Sequence, residues 1–220
     1  NHLTTTLIRD ISRARSTNIC ARYLITVKAA EKVMVDLVYR TATPDDVEDI
    51  ARLVNAAYRP STGDGGWTHE SILVGGQRTN PMEIGEAVGL SRIMLALDGA
   101  RTVGCVQVDV NGREAYIGTR AVAPGMQAKG IGNSLLLRAE AWASAAPGVE
   151  EFVLVVVSVR RELVQYYTRR GYAEAGKRIP YPIGSGVGEP RHSTLDLPML
   201  RKRSNTSLQT ASGRDAAFPG

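Results

Sequence analysis

The sequence predicts an α/β (α+β) domain: a mixed, mostly antiparallel sheet of six to seven strands flanked by about four helices. Three observations carry this reading. Strand-like runs follow one another through Asp98-Gly99 and Asn111-Gly112, dipeptides that favour tight hairpin turns, so they form an antiparallel meander. The last of them, Glu114–Val122, runs directly into a glycine-bearing loop and then a helical pattern. Phe152–Val157 is an unbroken apolar, mostly β-branched run of the kind that forms a strand buried on both faces.

In chain order, Leu37–Thr41 reads as the first strand. Thr43 is placed to cap a helix, Pro44 takes its first position, and Asp45 and Asp46 complement the dipole in its first turn. Ile50, Leu53, Val54 and Ala57 recur at helical spacing and predict the buried stripe. The stretch from Tyr58 to Thr79 is broken by Gly63, Gly65 and Gly66, and a second short helix is expected over Trp67–Leu73 with Thr68 as its cap. A connection this long inside a domain is usually functional or disordered, and its Trp argues for order. The meander strands are Ile93–Leu97, Thr102–Val110 and Glu114–Val122. A helix over Ile131–Ala145 ends at Pro147-Gly148, and a short helix over Glu162–Arg170 is closed by Gly171. Tyr172 starts another strand, Pro180–Pro190 forms a loop, and Ser193–Leu200 supplies the last strand. The domain is therefore expected over residues 37–200.

Charge separates the ends from the middle. The net charge is +5, but residues 1–36 and 201–220 each carry +3, which leaves −1 for the domain. A nucleic-acid surface is not expected from that core. Residues 1–33 show no sustained period and read as a disordered extension ahead of a natural start at Met34, within an N-terminal region taken as 1–36, although an Arg-rich, acid-poor N-terminus also fits a transit peptide. Residues 201–220 read as a disordered tail. Cys20 and Cys105 cannot make a disulfide framework, and a reduced, cytoplasmic setting follows as the default. His2, His69 and His192 lack metal-ligand spacing, and no apolar run reaches the roughly 20 residues of a membrane span, so neither a metal nor a membrane is expected.

The chemistry concentrates at Val122-Ala123-Pro124 and Gln127-Ala128-Lys129-Gly130-Ile131-Gly132. Gly130 and Gly132 let the backbone turn with its N–H groups uncovered, and the following helix adds the positive end of its dipole, a design for holding phosphate. Strand, Val-x-Pro and Q-x-x-G-x-G opening a helix closely resemble motif A of the GCN5-related N-acetyltransferases (GNAT), which move an acetyl group from acetyl-CoA to an amine. The element order over residues 37–200 is similar to that family's mixed αβ sandwich. The resemblance implies acetyl-CoA as co-substrate, with pantetheine against the backbone of Ala121, Val122 and Ala123. It places the pyrophosphate on Gln127, Ala128, Lys129, Gly130, Ile131, Gly132 and Asn133. It implies a small-molecule amine or peptide as the acceptor and leaves a homodimer open.

Leu163–Tyr172 resembles the family's later segment, in which a Tyr four residues before Gly-Phe or Gly-Tyr lies beside the cofactor sulfur. Tyr167 holds that position and is the candidate general acid for the departing thiolate. An Asn usual seven residues earlier is Arg160 here, which leaves room for a CoA-binding module without turnover. Some relatives place a base at the position of Tyr116; Glu114, two residues earlier and on the same strand face, is the candidate carboxylate, with a water relay as the alternative. Candidate acceptor contacts are Trp67, Glu70, Arg78 and Tyr116, with Tyr181 and His192 near the second loop. Transfer of a longer acyl group is the other enzymatic reading.

Overall fold

The computed structural model describes residues 36–60, 70–184, 186–191 and 195–204. All the elements lie in the unit that begins at Leu37. They are β1 (Leu37–Thr41), α1 (Val47–Tyr58), β2 (Val74–Gly75), α2 (Pro81–Leu90), β3 (Arg92–Asp98), β4 (Arg101–Asn111) and β5 (Glu114–Val122), followed by α3 (Ile131–Ser144), β6 (Glu151–Val155), α4 (Arg161–Thr168), β7 (Ala173–Pro180), β8 (Glu189–Pro190) and β9 (Asp196–Arg203). Seven strands form one sheet in the order β1-β3-β4-β5-β6-β9-β7, while β2 and β8 pair separately. Within the seven-stranded sheet β5 and β6 run parallel and the other neighbours antiparallel. The mixed, mostly antiparallel architecture is the one the sequence predicts.

The local chemistry explains the boundaries. Gly99 and Gly112 take φ values of 59° and 60° at the two meander turns, a region that L side chains enter at a cost. Ile50, Leu53, Val54 and Ala57 are all buried against the sheet, so α1 packs through the stripe its spacing defines. The main difference lies between α1 and β3. Residues 70–73 form a turn, not the end of a helix, and the helix of this connection is α2, capped by Asn80, whose side chain accepts from the Glu83 amide at 3.0 Å. Gly85 and Gly89 weaken the helical pattern of α2, which hides it in the sequence. The remainder of the expected Trp67–Leu73 helix, with Trp67 and His69, and also His192, lies outside the described residues.

Two strand ends also differ from expectation. β6 stops at Val155, which is 43% exposed, so the run Phe152–Val157 is not buried along its whole length. β9 continues to Arg203, past the Leu200 at which the polar sequence suggests an end, because its basic residues meet carboxylates on neighbouring elements. Arg201 donates to both Glu114 and Glu151 at 2.5 Å, and Lys202 donates to the buried Glu140 at 2.7 Å.

Two close contacts position the glycine loop. A Cβ built on Gly104 of β4 would stand 2.9 Å from Leu135 Cδ1 and 3.1 Å from Ile131 Cγ2, so α3 lies against the strand at a distance that only glycine permits. Cys105 beside it is fully buried, and burial pushes its thiol up to about 12, which makes it an inert part of the core.

Asp46 organises the entry to α1. It accepts from Arg40 Nη2 and Nη1 at 2.6 and 2.7 Å, from the Thr43 amide at 2.7 Å and from Thr43 Oγ1 at 2.9 Å. Donation from Arg40 is the largest influence and holds the carboxyl well below its usual range, against an opposing effect of burial. The folded value is depressed, so the stabilisation is complete above the unfolded carboxyl value of about 3.9 and is lost as the pH falls towards the folded one. Asp46→Asn is expected to lower the unfolding free energy by about 1–2 kcal/mol at neutral pH. The gap to the parent should narrow below about pH 4, as urea titrations across that range would show.

Candidate active site

The site begins where β5 and β6 part. Their pairing covers Glu114, Ala115 and Tyr116 opposite Glu151, Phe152 and Val153, and then stops. Beyond Tyr116, β5 keeps its bonds to β4 and presents its other edge to an opening. Arg201, bridging Glu114 and Glu151, clamps the closed end of this fork.

At the open end the chain passes through Pro124–Met126, a single 3-10 turn, into the glycine loop. Ala128 and Gly130 have φ values of 60° and 85°, the left-handed region through which the loop turns into α3. Gln127 fixes the turn by donating its side-chain amide to the Val122 carbonyl at 3.0 Å. The first backbone bond of α3 is from the Ser134 amide to the Gly130 carbonyl at 3.0 Å. Among the described residues, the amides of 128–133 donate to no carbonyl, and a Cβ on Gly130 would meet nothing within 4 Å. A set of uncommitted amides around open space at a helix N-terminus is what a pyrophosphate requires.

A cleft of about 610 Å³ lies at the glycine-loop end of β5, walled by the loop, by Arg120 and Val122 of β5, and by Tyr166 and Arg170 of the α4 segment. Arg170 lies on the Tyr166 ring with its guanidinium carbon 3.4 Å from the centroid, and its Nε donates to Asn133 Oδ1 at 2.7 Å. The Arg120 guanidinium carbon stands 4.7 Å from the Tyr166 centroid and 4.8 Å from the Tyr167 centroid. Its Nη1 donates to the Gly132 carbonyl at 3.3 Å and to the Tyr166 hydroxyl at 3.1 Å. A bulge puts Arg120 there: between the pairs Cys105–Ala121 and Gln107–Gly118, β5 has two residues where β4 has one. Thr119, with φ of 43°, absorbs the distortion at a cost on the order of 1–3 kcal/mol, and its hydroxyl donates to Gln107 at 2.8 Å.

Arg120 also lines a second cavity, of about 260 Å³, with Tyr58, Glu70, Arg78, Thr119, Tyr167 and Tyr181. The two cavities meet at this side chain. Tyr167 is buried, stacked edge-on against Tyr166 and Tyr172, and its hydroxyl has no hydrogen-bond partner among the described residues. Burial raises its pKa and the Arg120 charge opposes that shift only in part, so the phenol keeps its proton at neutral pH.

The sequence-predicted residues divide accordingly. Val122, Gln127, Ala128, Gly130, Ile131, Gly132 and Asn133 line the cleft; Ala121 and Ala123 are buried behind it, and Lys129 points to the surface near Met126. Glu70, Arg78, Tyr167 and Tyr181 line the second cavity. Glu70 is not free to meet an ammonium, because Arg59 holds it at 3.2 Å with both side chains nearly inaccessible. Glu114 and Tyr116 line neither cavity. Glu114 lies at the closed end, roughly 20 Å along the strand from Ala121 at about 3.3 Å per residue. Donation from Tyr116 and Arg201 lowers its pKa, which makes it an ion-pair anchor and a poor base. Arg160 is buried ahead of α4 in an ion pair with Glu162, away from both cavities. The sequence reading passes over Arg120, Tyr166 and Arg170; the lone charge between Thr119 and the apolar Ala121-Val122 is the signal that could have exposed Arg120.

The fork, the loop and the paired cavities define an acyl-CoA-dependent transferase fold. A profile of the acetyltransferase (GNAT) family matches residues 63–172, and the chain belongs to that family. No curated protein matches the sequence. Among solved structures, the ribosomal-protein-S18-alanine N-acetyltransferase from Escherichia coli is similar at 14% identity and a TM-score of 0.60, over 83% of this chain and 99% of that one. An N-acetyltransferase from Staphylococcus aureus Mu50 is similar at 15% identity and 0.59, over 76% and 97%. Ard1 from Thermoplasma volcanium is similar at 16% identity and 0.57, over 77% and 98%. At these identities the likeness is one of fold. No helix among the described residues is long and apolar enough to cross a membrane.

Acyl-CoA is the co-substrate that the family fold implies, and the uncommitted amides and the open β5 edge fit it. Gly130→Ala would force a Cβ into the left-handed region, at about 1–2 kcal/mol. Calorimetric titration with acetyl-CoA should show the dissociation constant rising by about tenfold in that variant.

Proposed function

We propose that this protein is an N-acetyltransferase that transfers an acetyl group from acetyl-CoA to a primary amine by direct attack in a ternary complex. The observation that carries this reading is the junction of the two cavities, where a cofactor-sized cleft ends beside the protonated Tyr167 phenol on the wall of a smaller pocket. The amides of residues 128–133 hold the pyrophosphate, and the unpaired edge of β5 beyond Tyr116 offers pantetheine its hydrogen bonds. Arg170, fixed by Asn133 and Tyr166, adds positive charge to the same cleft.

Acetyl-CoA supplies an activated thioester carbonyl. The protein supplies position: the fork holds that carbonyl at the mouth of the second cavity, and the cavity holds the amine against it. As the amine nitrogen bonds to the carbonyl carbon and the carbon–sulfur bond breaks, Tyr167 gives its proton to the leaving sulfur. The incoming ammonium first loses one proton to water, since Glu70 is committed to Arg59 and Glu114 is remote, and the second nitrogen proton, lost as the amide forms, returns through solvent to the Tyr167 phenolate. The catalytic unit is the domain from residue 37, and its acceptors are small amines, as the volume of the second cavity suggests.

An acetyl-CoA titration followed by an amine-library screen for free thiol tests the reading, and failure to bind acetyl-CoA would remove it. Tyr167→Phe should lower kcat by about 100-fold or more while changing acetyl-CoA affinity little. A variant that turns over at the parental rate would exclude Tyr167 as the acid.

A further inference from the structure

The charged groups on the acceptor cavity do not balance. Glu70, Arg78 and Arg120 are the ionic side chains that line it, and Glu70 is neutralised by Arg59 at 3.2 Å. Among the described residues, neither Arg78 nor Arg120 pairs with a carboxylate. Arg78 lies 5.6 Å from the Tyr58 ring centroid, and Arg120, besides its contacts with the Tyr166 and Tyr167 rings, hydrogen-bonds among the described residues through Nη1, with the Gly132 carbonyl and the Tyr166 hydroxyl. Apart from the Tyr167 hydroxyl, the other side-chain polar groups on the wall are already used. The Tyr58 hydroxyl donates to the Arg120 carbonyl at 3.0 Å, the Tyr181 hydroxyl to the Val187 carbonyl at 2.9 Å, and Thr119 to Gln107.

Two guanidiniums with no carboxylate partner among the described residues therefore face a cavity that an amine must enter. A simple alkylamine arrives as a cation and would raise the uncompensated charge of a partly desolvated site. An amine that carries its own anion reverses that, because a carboxylate can accept paired hydrogen bonds from a guanidinium fork while its amino group points to the cavity junction. We infer that the acceptor is a small primary amine bearing a carboxylate, held by Arg78 and Arg120. The volume of about 260 Å³ suits a molecule of amino-acid size. The bulge at Thr119 has a purpose in this arrangement: it turns the guanidinium of a strand residue into the junction, where it can hold the anion near the reacting amine. The inference rests on the transferase reading for the identity of the second cavity, but its anion preference is measurable by binding alone.

The test compares matched pairs: methionine with 3-(methylthio)propylamine, and phenylalanine with phenethylamine. Each is titrated calorimetrically into the full chain saturated with CoA, so that no turnover is needed. The amino acid of at least one pair should bind about tenfold or more tightly than its decarboxylated partner, the range of a charge-assisted hydrogen bond. Arg78→Gln should abolish that difference and Arg78→Lys should restore part of it. Equal or tighter binding of the decarboxylated amines or of spermidine, or no binding of any amino acid, overturns the inference. The same pairs are then assayed for thiol release with acetyl-CoA. Release from amines without a carboxylate preference overturns this inference and leaves the transferase intact, whereas a carboxylate preference in binding with no release from any amine overturns the transferase and leaves the anion site intact.

Discussion

The structure depends on a pairing that stops early. β5 and β6 share three residue pairs and then separate, although both strands continue and both remain bonded on their other sides, to β4 and β9. A sheet that opens in its middle leaves backbone donors and acceptors without partners inside the molecule, and those groups need water or a ligand. The opening is held at a fixed place because its closed end is tied by Arg201 to a carboxylate on each strand. Opening and clamp are complementary: without the ion pairs the fork could zip further or slip, and without the divergence there would be no room for a cleft.

Around that opening, each wall is placed by a separate local exception. Gly104 lets α3 approach β4 closely enough to aim the N-terminal amides of the helix into the fork. Thr119 accepts a left-handed φ so that Arg120 can turn inward. Tyr166 then meets two guanidiniums, Arg170 at 3.4 Å and Arg120 at 4.7 Å from its centroid. Among the described residues, these two cations are held by the ring's quadrupole and by carbonyl and hydroxyl acceptors, not by carboxylates, so their charge stays available to an incoming anion. The concentration of strain and unbalanced charge in this small region, beside an otherwise regular meander, is the pattern of a functional site.

Much of the fold was legible because its signals are local. The Asp-Gly and Asn-Gly turns specify the meander, the stripe from Ile50 to Ala57 specifies α1, and Pro124 to Gly132 specifies the loop, each within a dozen or so residues. Misses occurred where local and tertiary preferences disagree. Gly85 and Gly89 make α2 a poor helix by propensity, and it forms because Asn80 caps it and Ile84 is buried. Arg201-Lys202-Arg203 looks like a solvated tail until Glu114, Glu151 and Glu140 are brought opposite it. Glu114 resembled a base for the same reason: a carboxylate on the correct strand cannot be told from an ion-pair anchor without knowing which end of the strand is open.

The contrast between donor and acceptor sides follows from what does the recognising. A pyrophosphate is held by backbone amides, so the sequence must provide a loop of defined curvature, and curvature restricts residue type: hence the glycines that mark the motif. The second cavity, the proposed acceptor site, is lined by side chains at Tyr58, Glu70, Arg78, Arg120, Tyr167 and Tyr181, drawn from five separated segments. No spacing rule links them, and their meaning lies in a sum of charges that exists only after folding. Glu70 alone suggests an ammonium site; Glu70 with Arg59 is neutral, and with Arg78 and Arg120 added the sign reverses. On the proposed reading, acceptor preference is a property of the assembled wall, which a substitution at any one of these positions would alter without touching the motif that identifies the family.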